Sequence, residues 1–303
     1  RELDRFIQEK RRYIKEETRK RYGIDDYEPK FDIVAHSMGG LVARYYLRYG
    51  GAELPMDDTP LRPTWAGARF VEHAIMIAPP NAGTLEALTD LVQGDKPGFF
   101  FPYYSPAILG TMPAVYQLLP RNRHAPLLDP AGTPATDIFD PRLWEVNGWG
   151  LADPKQDEIL RVLLPSVTEV THRRRIALDH QRKALVRARR FTEAIDTPAS
   201  PPPSLKLLLV AGDAVMTPRT IQYTAPGGFR IIEAQPGDRT VLRSSALMDE
   251  RAEKERTGRV VSPIRWDQVL FLPADHLGLT RDPAFTDNIL YFLLERPKDD
   301  ARK

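Results

Sequence analysis

The run FDIVAHSMGGLVARYYLRYG, Phe31 to Gly50, constrains this chain more than any other segment. Phe31, Ile33 and Val34 open it as a strand-like stretch, and Leu41, Val42, Tyr45 and Tyr46 close it as apolar residues at helical spacing. Between them stand only Ala35-His36-Ser37-Met38-Gly39-Gly40, too few residues for a loop. A chain that passes from strand to helix so abruptly must turn sharply. Small side chains beside the turn, here Ala35 and Gly39, let the two elements pack closely. Strained backbone is expected at Ser37, with its Oγ held out at the carboxyl end of the sheet. Met38 N–H then sits at a helix N-terminus, where it can face a developing oxyanion. The plainer alternative is a serine that merely caps the following helix.

Strand, serine at a sharp turn, and helix together match the nucleophile elbow of the α/β-hydrolases, and all three parts are legible here. Composition agrees with such a fold. At 303 residues, 42% hydrophobic and 28% charged, the chain can bury a full core as one large α/β domain or two small ones. A net charge of +2 gives no global field for nucleic acid, and no nucleic-acid partner is expected. The absence of cysteine excludes disulfides, thiolate metal sites and a cysteine nucleophile. No phosphate loop, dinucleotide fingerprint or metal-ligand spacing is present in the sequence, so no cofactor is expected. No apolar stretch approaches the roughly 20 residues of a membrane span.

The chain begins at Arg1 with no leader pattern, which leaves the compartment open, the cytoplasm favoured. The residues before Ser37 read as one amphipathic helix (Leu3, Phe6, Ile7, Tyr13, Ile14) and the elbow strand. A hydrolase sheet carries further strands and a second oxyanion donor upstream of the elbow. The expectation is therefore a fragment or processed chain that lacks the front of its sheet.

Further along, Phe70 to Ala78 reads as a buried strand stopped by Pro79-Pro80, and a short helix spans Leu85 to Val92. From about Phe99 to Asp196 the strand pattern gives way to Pro-interrupted apolar segments. A long basic helix follows from Ile159 to Thr192, with eight Lys or Arg between Arg173 and Arg190. After the Pro-rich Asp196–Ser204 linker, strands are expected at Leu205–Val210, Gly228–Ile232 and Val269–Leu272, then a helix at Phe285–Leu294. The fold class is thus α/β: a mostly parallel sheet with helices on both faces and an inserted helical cap. The divisions are residues 1–98 and 205–303 for the core and 99–204 for the cap and linker.

A hydrolase of this layout places its acid and then its histidine downstream of the serine. Of His36, His73, His124, His172, His180 and His276, only His276 lies on a loop after the last strand. His36 reads as a packing or hydrogen-bonding residue, and His172 and His180 as solvated residues of the basic helix. Two acids compete: Asp213 after the Leu205–Val210 strand, and Asp238 in QPGDRTV. Position alone leaves both open.

With these segments in hand, the chain resembles the lecithin:cholesterol acyltransferase family. The resemblance rests on AHSMGGLVARYYL, IAPPNAGT, TMPAVYQLLPR, MTPRT, GDRTV with RSSAL, and DHLGL, in that order. It implies an α/β-hydrolase fold, Ser37 as nucleophile, His276 as base, and Asp238, from the family's Gly-Asp-x-Thr-Val loop, as acid. It also implies a lipid acyl ester as substrate, used by an O-acyltransferase or a lipase or phospholipase through an acyl-serine. Phe99, Phe100, Phe101, Tyr103 and Tyr104 are candidates for the wall of an acyl channel, or else for ordinary cap–core packing. The Arg173–Arg190 stretch is a candidate contact with anionic membrane, or else a solvated face. Two rival readings stand beside this one: a carboxylesterase on non-lipid esters, and a hydrolase-fold scaffold that binds without catalysis.

Overall fold

A computed structural model describes all residues except 56, 58, 97, 99, 136, 225–226, 252–257 and 296–303. Its centre is a four-stranded, wholly parallel sheet in the order β1-β2-β4-β7, made of Phe31–His36, Val71–Ile77, Lys206–Gly212 and Gln268–Leu272. Alternation along the strands sends successive side chains to opposite faces. Ala74, Met76 and Leu207 pack with Ile7 of helix α1 (Glu2–Tyr22) and Tyr46 and Leu47 of α2 (Met38–Tyr49). Ile75, Ile77, Leu208 and Val210 pack on the other face against Ile289 of α10 (Pro283–Leu290) and Phe292. Helices therefore cover both faces, as the sequence pattern predicts. Among the described residues β1 has one strand neighbour, β2, and its Val34 is exposed.

Helices α3 (Leu85–Gln93), α4 (Pro106–Gly110), α5 (Pro113–Tyr116), α6 (Pro141–Asn147), α7 (Asp157–Leu163) and α8 (Val170–Asp196) lie between β2 and β4. Their apolar residues gather around the buried pair Trp144 and Trp149, with Leu88, Tyr116, Leu119 and Leu185. No described helix is long and apolar enough to cross a membrane.

Two expectations need correction here. The basic helix is not continuous from Ile159: Pro165 lacks an N–H and restricts the residue before it, and the chain breaks between α7 and α8. Arg173 is buried at that break, bonded to Asp157 Oδ2 at 2.9 Å and to the Thr168 carbonyl at 2.8 Å, so it fastens the turn rather than facing solvent. Arg182 and Lys183 pair with Asp179, and Arg189 with Asp137.

The strand expected at Gly228–Ile232 does not join the main sheet. It is part of β6 (Gly228–Gly237), which pairs antiparallel with β5 (Val215–Thr224) in a second sheet completed by the short β3 (Leu127–Leu128). Pro218 makes β5 hard to read as a strand, and the register shifts just beyond it. The hairpin belongs with the cap because Ile221 is buried in the tryptophan cluster. Tyr223 and Phe229 meet the Trp149 ring at 5.2 and 5.7 Å.

The end of α8 is seized by α2. Arg44 Nη2 donates to the Ile195 carbonyl at 2.7 Å, Tyr49 Oη donates to the Ala194 carbonyl at 2.7 Å, and Arg48 donates to the Thr197 carbonyl. Such carbonyls have no partner within their own helix and carry the negative end of its dipole, so buried cations are well placed there.

Candidate active site

The turn after β1 is as sharp as its sequence suggests. Ser37 has φ 54° and ψ −128°, a strained conformation for a residue with a side chain, and α2 starts at Met38. Its backbone is held by Ser37 N–H donating to the Ile77 carbonyl at 2.8 Å. The close approach, however, lies one residue beyond the expected one. A Cβ on Gly39 would sit 3.7 Å from the Ala35 Cβ, an ordinary contact, whereas a Cβ on Gly40 would sit 2.6 Å from the Pro79 Cβ. Ala35 is small enough for the turn, and Gly40 is the residue the packing of α2 requires.

The structure brings Ser37, His276 and Asp238 together from three loops. Asp238 is buried at 1% exposure, and its Oδ2 accepts from His276 Nδ1 at 2.8 Å. A carboxylate only accepts, so Nδ1 carries the proton, and Nε2 is left to accept from the Ser37 hydroxyl at 2.8 Å. The other Asp238 oxygen, Oδ1, accepts from Val241 N–H at 2.6 Å and Thr240 N–H at 3.0 Å, which fixes the carboxylate plane. Packing forces the acid inward: a Cβ on Gly212, at the end of β4, would meet the Asp238 Cβ at 2.6 Å. Asp213 is half-buried, and no hydrogen bond links it to His276. The alternative left open by chain order is thereby closed by geometry in favour of Asp238 as the histidine's partner.

His36 has a more definite place than its sequence context suggests. Its Nε2 donates to the His276 carbonyl at 2.9 Å, and the two rings lie 4.8 Å apart. His276 N–H in turn donates to the Asp238 carbonyl at 2.9 Å, so the histidine's backbone is held from both sides. Burial pulls the His36 pKa below its ordinary value, which favours the neutral ring. A histidine that precedes the serine on a parallel strand and points toward the last loop is the signal that could have found this contact.

Met38 occupies the first position of α2, where the helix offers its N–H no acceptor, and its side chain is exposed. The aromatic run fares differently. Phe99 lies outside the described residues. Phe100 is 94% exposed, Phe101 and Tyr103 are exposed, and Tyr104 is half-buried, its backbone bridged to Asp95. The exposed three stand at the surface, where the Tyr103 hydroxyl donates to the Gln93 carbonyl at the end of α3. A cavity of about 390 Å³ lies beside the acid loop, lined by Thr84, Arg123, Arg219, Thr240 and Glu250 among others. Neither Ser37 nor His276 borders it. No group of three or more metal-ligating side chains occurs among the described residues.

Known proteins bear on this geometry in two ways. Residues 5–141 match the family model of lecithin:cholesterol acyltransferase, a span that holds the elbow, IAPPNAGT and TMPAVYQLLPR. Among solved structures, the fold is similar to a chain in the crystal structure of the Tle4–Tli4 complex, with a TM-score of 0.51 and 13% sequence identity. That likeness covers 93% of this chain and 63% of the other. At such identity it speaks for the fold alone, and this chain spans 63% of that neighbour's length. No curated protein matches the chain. Over residues 5–141 the resemblance drawn from the motifs is matched by the lecithin:cholesterol acyltransferase family model, while MTPRT, GDRTV with RSSAL, and DHLGL lie beyond that span; the architecture is that of an α/β-hydrolase fold.

Proposed function

We propose that this protein is a serine-nucleophile enzyme acting on lipid acyl esters, as an O-acyltransferase or a lipase or phospholipase. The observation that carries the reading is the unbroken hydrogen-bond chain from Ser37 Oγ through His276 to Asp238, with both links at 2.8 Å. His276 Nε2 takes the hydroxyl proton as Ser37 Oγ attacks the ester carbonyl carbon. Asp238 keeps the imidazole in the required tautomer and stabilises the imidazolium. The carbonyl oxygen becomes an oxyanion that Met38 N–H faces at the start of α2. Collapse expels the alcohol, which takes its proton from His276, and leaves an acyl-serine. Water or a second alcohol, deprotonated by the same histidine, then releases the acyl group.

A fluorophosphonate probe tests the nucleophile directly. It should label the folded protein at Ser37 and fail to label Ser37→Ala; a folded but unlabelled protein would overturn the reading. A carboxylesterase on shorter, non-lipid esters is the second reading, favoured by the surface exposure of Phe100, Phe101 and Tyr103. A series of p-nitrophenyl esters of rising chain length separates the two: kcat/KM climbs with length for a lipid enzyme and falls for the other. Contact with an anionic membrane, if made by α8, falls to exposed residues such as Arg174 and Arg175 rather than to Arg173.

A further inference from the structure

The acid of the triad is held by a peptide that is itself held. Asp238 Oδ1 takes its shorter bond, 2.6 Å, from Val241 N–H. That N–H and the Thr240 carbonyl are opposite ends of one planar peptide unit. The carbonyl end accepts from the hydroxyl of Thr84, a buried residue between β2 and α3. A carbonyl only accepts, so the hydroxyl gives its single proton to Thr240. Its oxygen meanwhile accepts from Glu86 N–H at 3.2 Å as the cap of α3. Hydrogen bonds thus run without a break from Thr84 through the 240–241 peptide, Asp238 and His276 to Ser37.

Thr84 has little freedom to let go. Its own N–H donates to the Leu118 carbonyl at 2.8 Å, and the carbonyl of Gly83 before it accepts from Ser245 Oγ at 2.7 Å. Gly83 has φ 84°, and a Cβ there would lie 2.3 Å from the Leu119 carbonyl oxygen. The loop is therefore pinned to the cap on one side and to the segment after the acid on the other. Capping α3 needs only the Thr84 oxygen. The proton sent to Thr240 is surplus to capping, and it lands on a peptide that grips the acid. A bond accepted at one end of a peptide polarises the N–H at the other.

We propose that Thr84 is a positioning residue for the triad: its hydroxyl sets the 240–241 peptide, which orients the Asp238 carboxylate toward His276. This rests on the serine-nucleophile reading above and extends its hydrogen-bond chain one residue beyond the acid.

The sign of one effect separates this role from mere support. Without the Thr84 donor, Val241 N–H gives less to Oδ1, and the carboxylate keeps more of its charge for the imidazolium. The rising limb of the pH–rate profile, which follows loss of the imidazolium proton, then moves up. A loop that simply came loose would take the carboxylate away from His276 and move the limb down. The other groups about the imidazole are untouched by the change. They are His36 from β1, its ring 4.8 Å away, and the adjacent Asp275, which accepts from Gly278 N–H at 2.7 Å.

The test is hydrolysis of p-nitrophenyl butyrate by the full chain across the pH range in which imidazole titrates. Thr84→Val keeps the shape of the side chain and loses the hydroxyl. Its kcat should fall by about three- to tenfold with KM nearly unchanged, and its limb should rise by about 0.3 pH unit, as a 10–30% weakening of one bond implies. Thr84→Ser should restore both. Glu86→Pro removes the capped N–H in the first turn, where proline is tolerated, and leaves the hydroxyl bond to Thr240; it should match wild type in kcat and limb. An unchanged profile in Thr84→Val, a downward limb, no rescue by serine, or a loss of kcat in Glu86→Pro would each overturn the assignment and leave the triad reading intact. Wild type that neither turns over the ester nor takes a fluorophosphonate label would remove that reading and this inference with it.

Discussion

His36 and His276 meet with their rings 4.8 Å apart and tilted by 39°, the Nε2 of the first donating to the backbone carbonyl of the second at 2.9 Å. His36 thus sets where the base stands, while the serine it precedes in the chain supplies the proton. His36→Phe should lower kcat by about tenfold or more, since small displacements of a reacting group are costly, and leave KM nearly unchanged. His36→Gln, which restores an N–H donor, should recover most of the loss. Equal loss in both variants would mean that only the ring's packing matters.

Asp238 and Asp213 separate cleanly by mutation. Asp238→Asn removes the acceptor that fixes the His276 tautomer, and kcat should fall by something like 10⁴-fold, the measured effect of that change in a serine protease. Asp213→Asn should leave kcat within about twofold, since it has no bond to the histidine. Steady-state kinetics on a soluble ester decides the matter; the reverse ranking would relocate the acid.

Gly40 carries the tightest constraint on the elbow helix, because a Cβ there would lie 2.6 Å from the Pro79 Cβ. Gly40→Val should cost about 1–3 kcal/mol of stability, the usual range for overpacking a dense contact. Gly39→Ala, with its ordinary 3.7 Å contact to Ala35, should change stability far less. Urea unfolding of the two variants gives the comparison.

Glu250 ties the loop after α9 (Arg243–Leu247) to the cap. Burial alone would raise its pKa, but hydrogen bonds from Arg123 at 2.6 and 2.8 Å and from His124 at 3.0 Å outweigh burial and lower it to about 2. A depressed carboxylate gives stability that is present above its unfolded pKa of about 4.3 and lost as pH falls through the folded value. Stability should therefore decline from near pH 4.5 toward pH 2. Glu250→Gln should flatten that decline in thermal melts taken across the same window.

Asp90 works in the opposite sense. Burial, with Glu86 and Asp95 adding repulsion, pushes its carboxyl up to about 8. The folded state then binds a proton that the unfolded chain has released, so the contribution of Asp90 to stability falls between pH 4 and pH 8. Asp90→Asn should raise the melting temperature at pH 8 and have little effect at pH 4.

The elbow and the order of its partners were legible because they depend on local rules. A serine between small residues, a strand before it and a helix after it leave few backbone solutions. His276 followed from being the last histidine beyond the last strand. What escaped depends on tertiary contacts. The β5 strand hides behind Pro218, and its place in the second sheet is decided by Tyr223 and Phe229 meeting Trp149. The break before α8 was readable from Pro165, but the burial of Arg173 needed Asp157 and the turn carbonyls around it. Phe100 and Phe101 look like core residues by composition, yet their loop is turned outward.

The grip of α2 on the last turn of α8 joins two parts of the chain that sequence separates widely. Arg44, Arg48 and Tyr49 stand on the helix that begins at the nucleophile, and the carbonyls they hold end a helix of 27 residues that closes the cap. Neither end can open without exposing two guanidinium groups and their acceptors. In hydrogen exchange, the amides of the elbow helix and those of the last turns of α8 should open as one cooperative unit. The far end of α8 is held separately, by Arg173 on Asp157 and on the Thr168 carbonyl, and takes no part in this clasp.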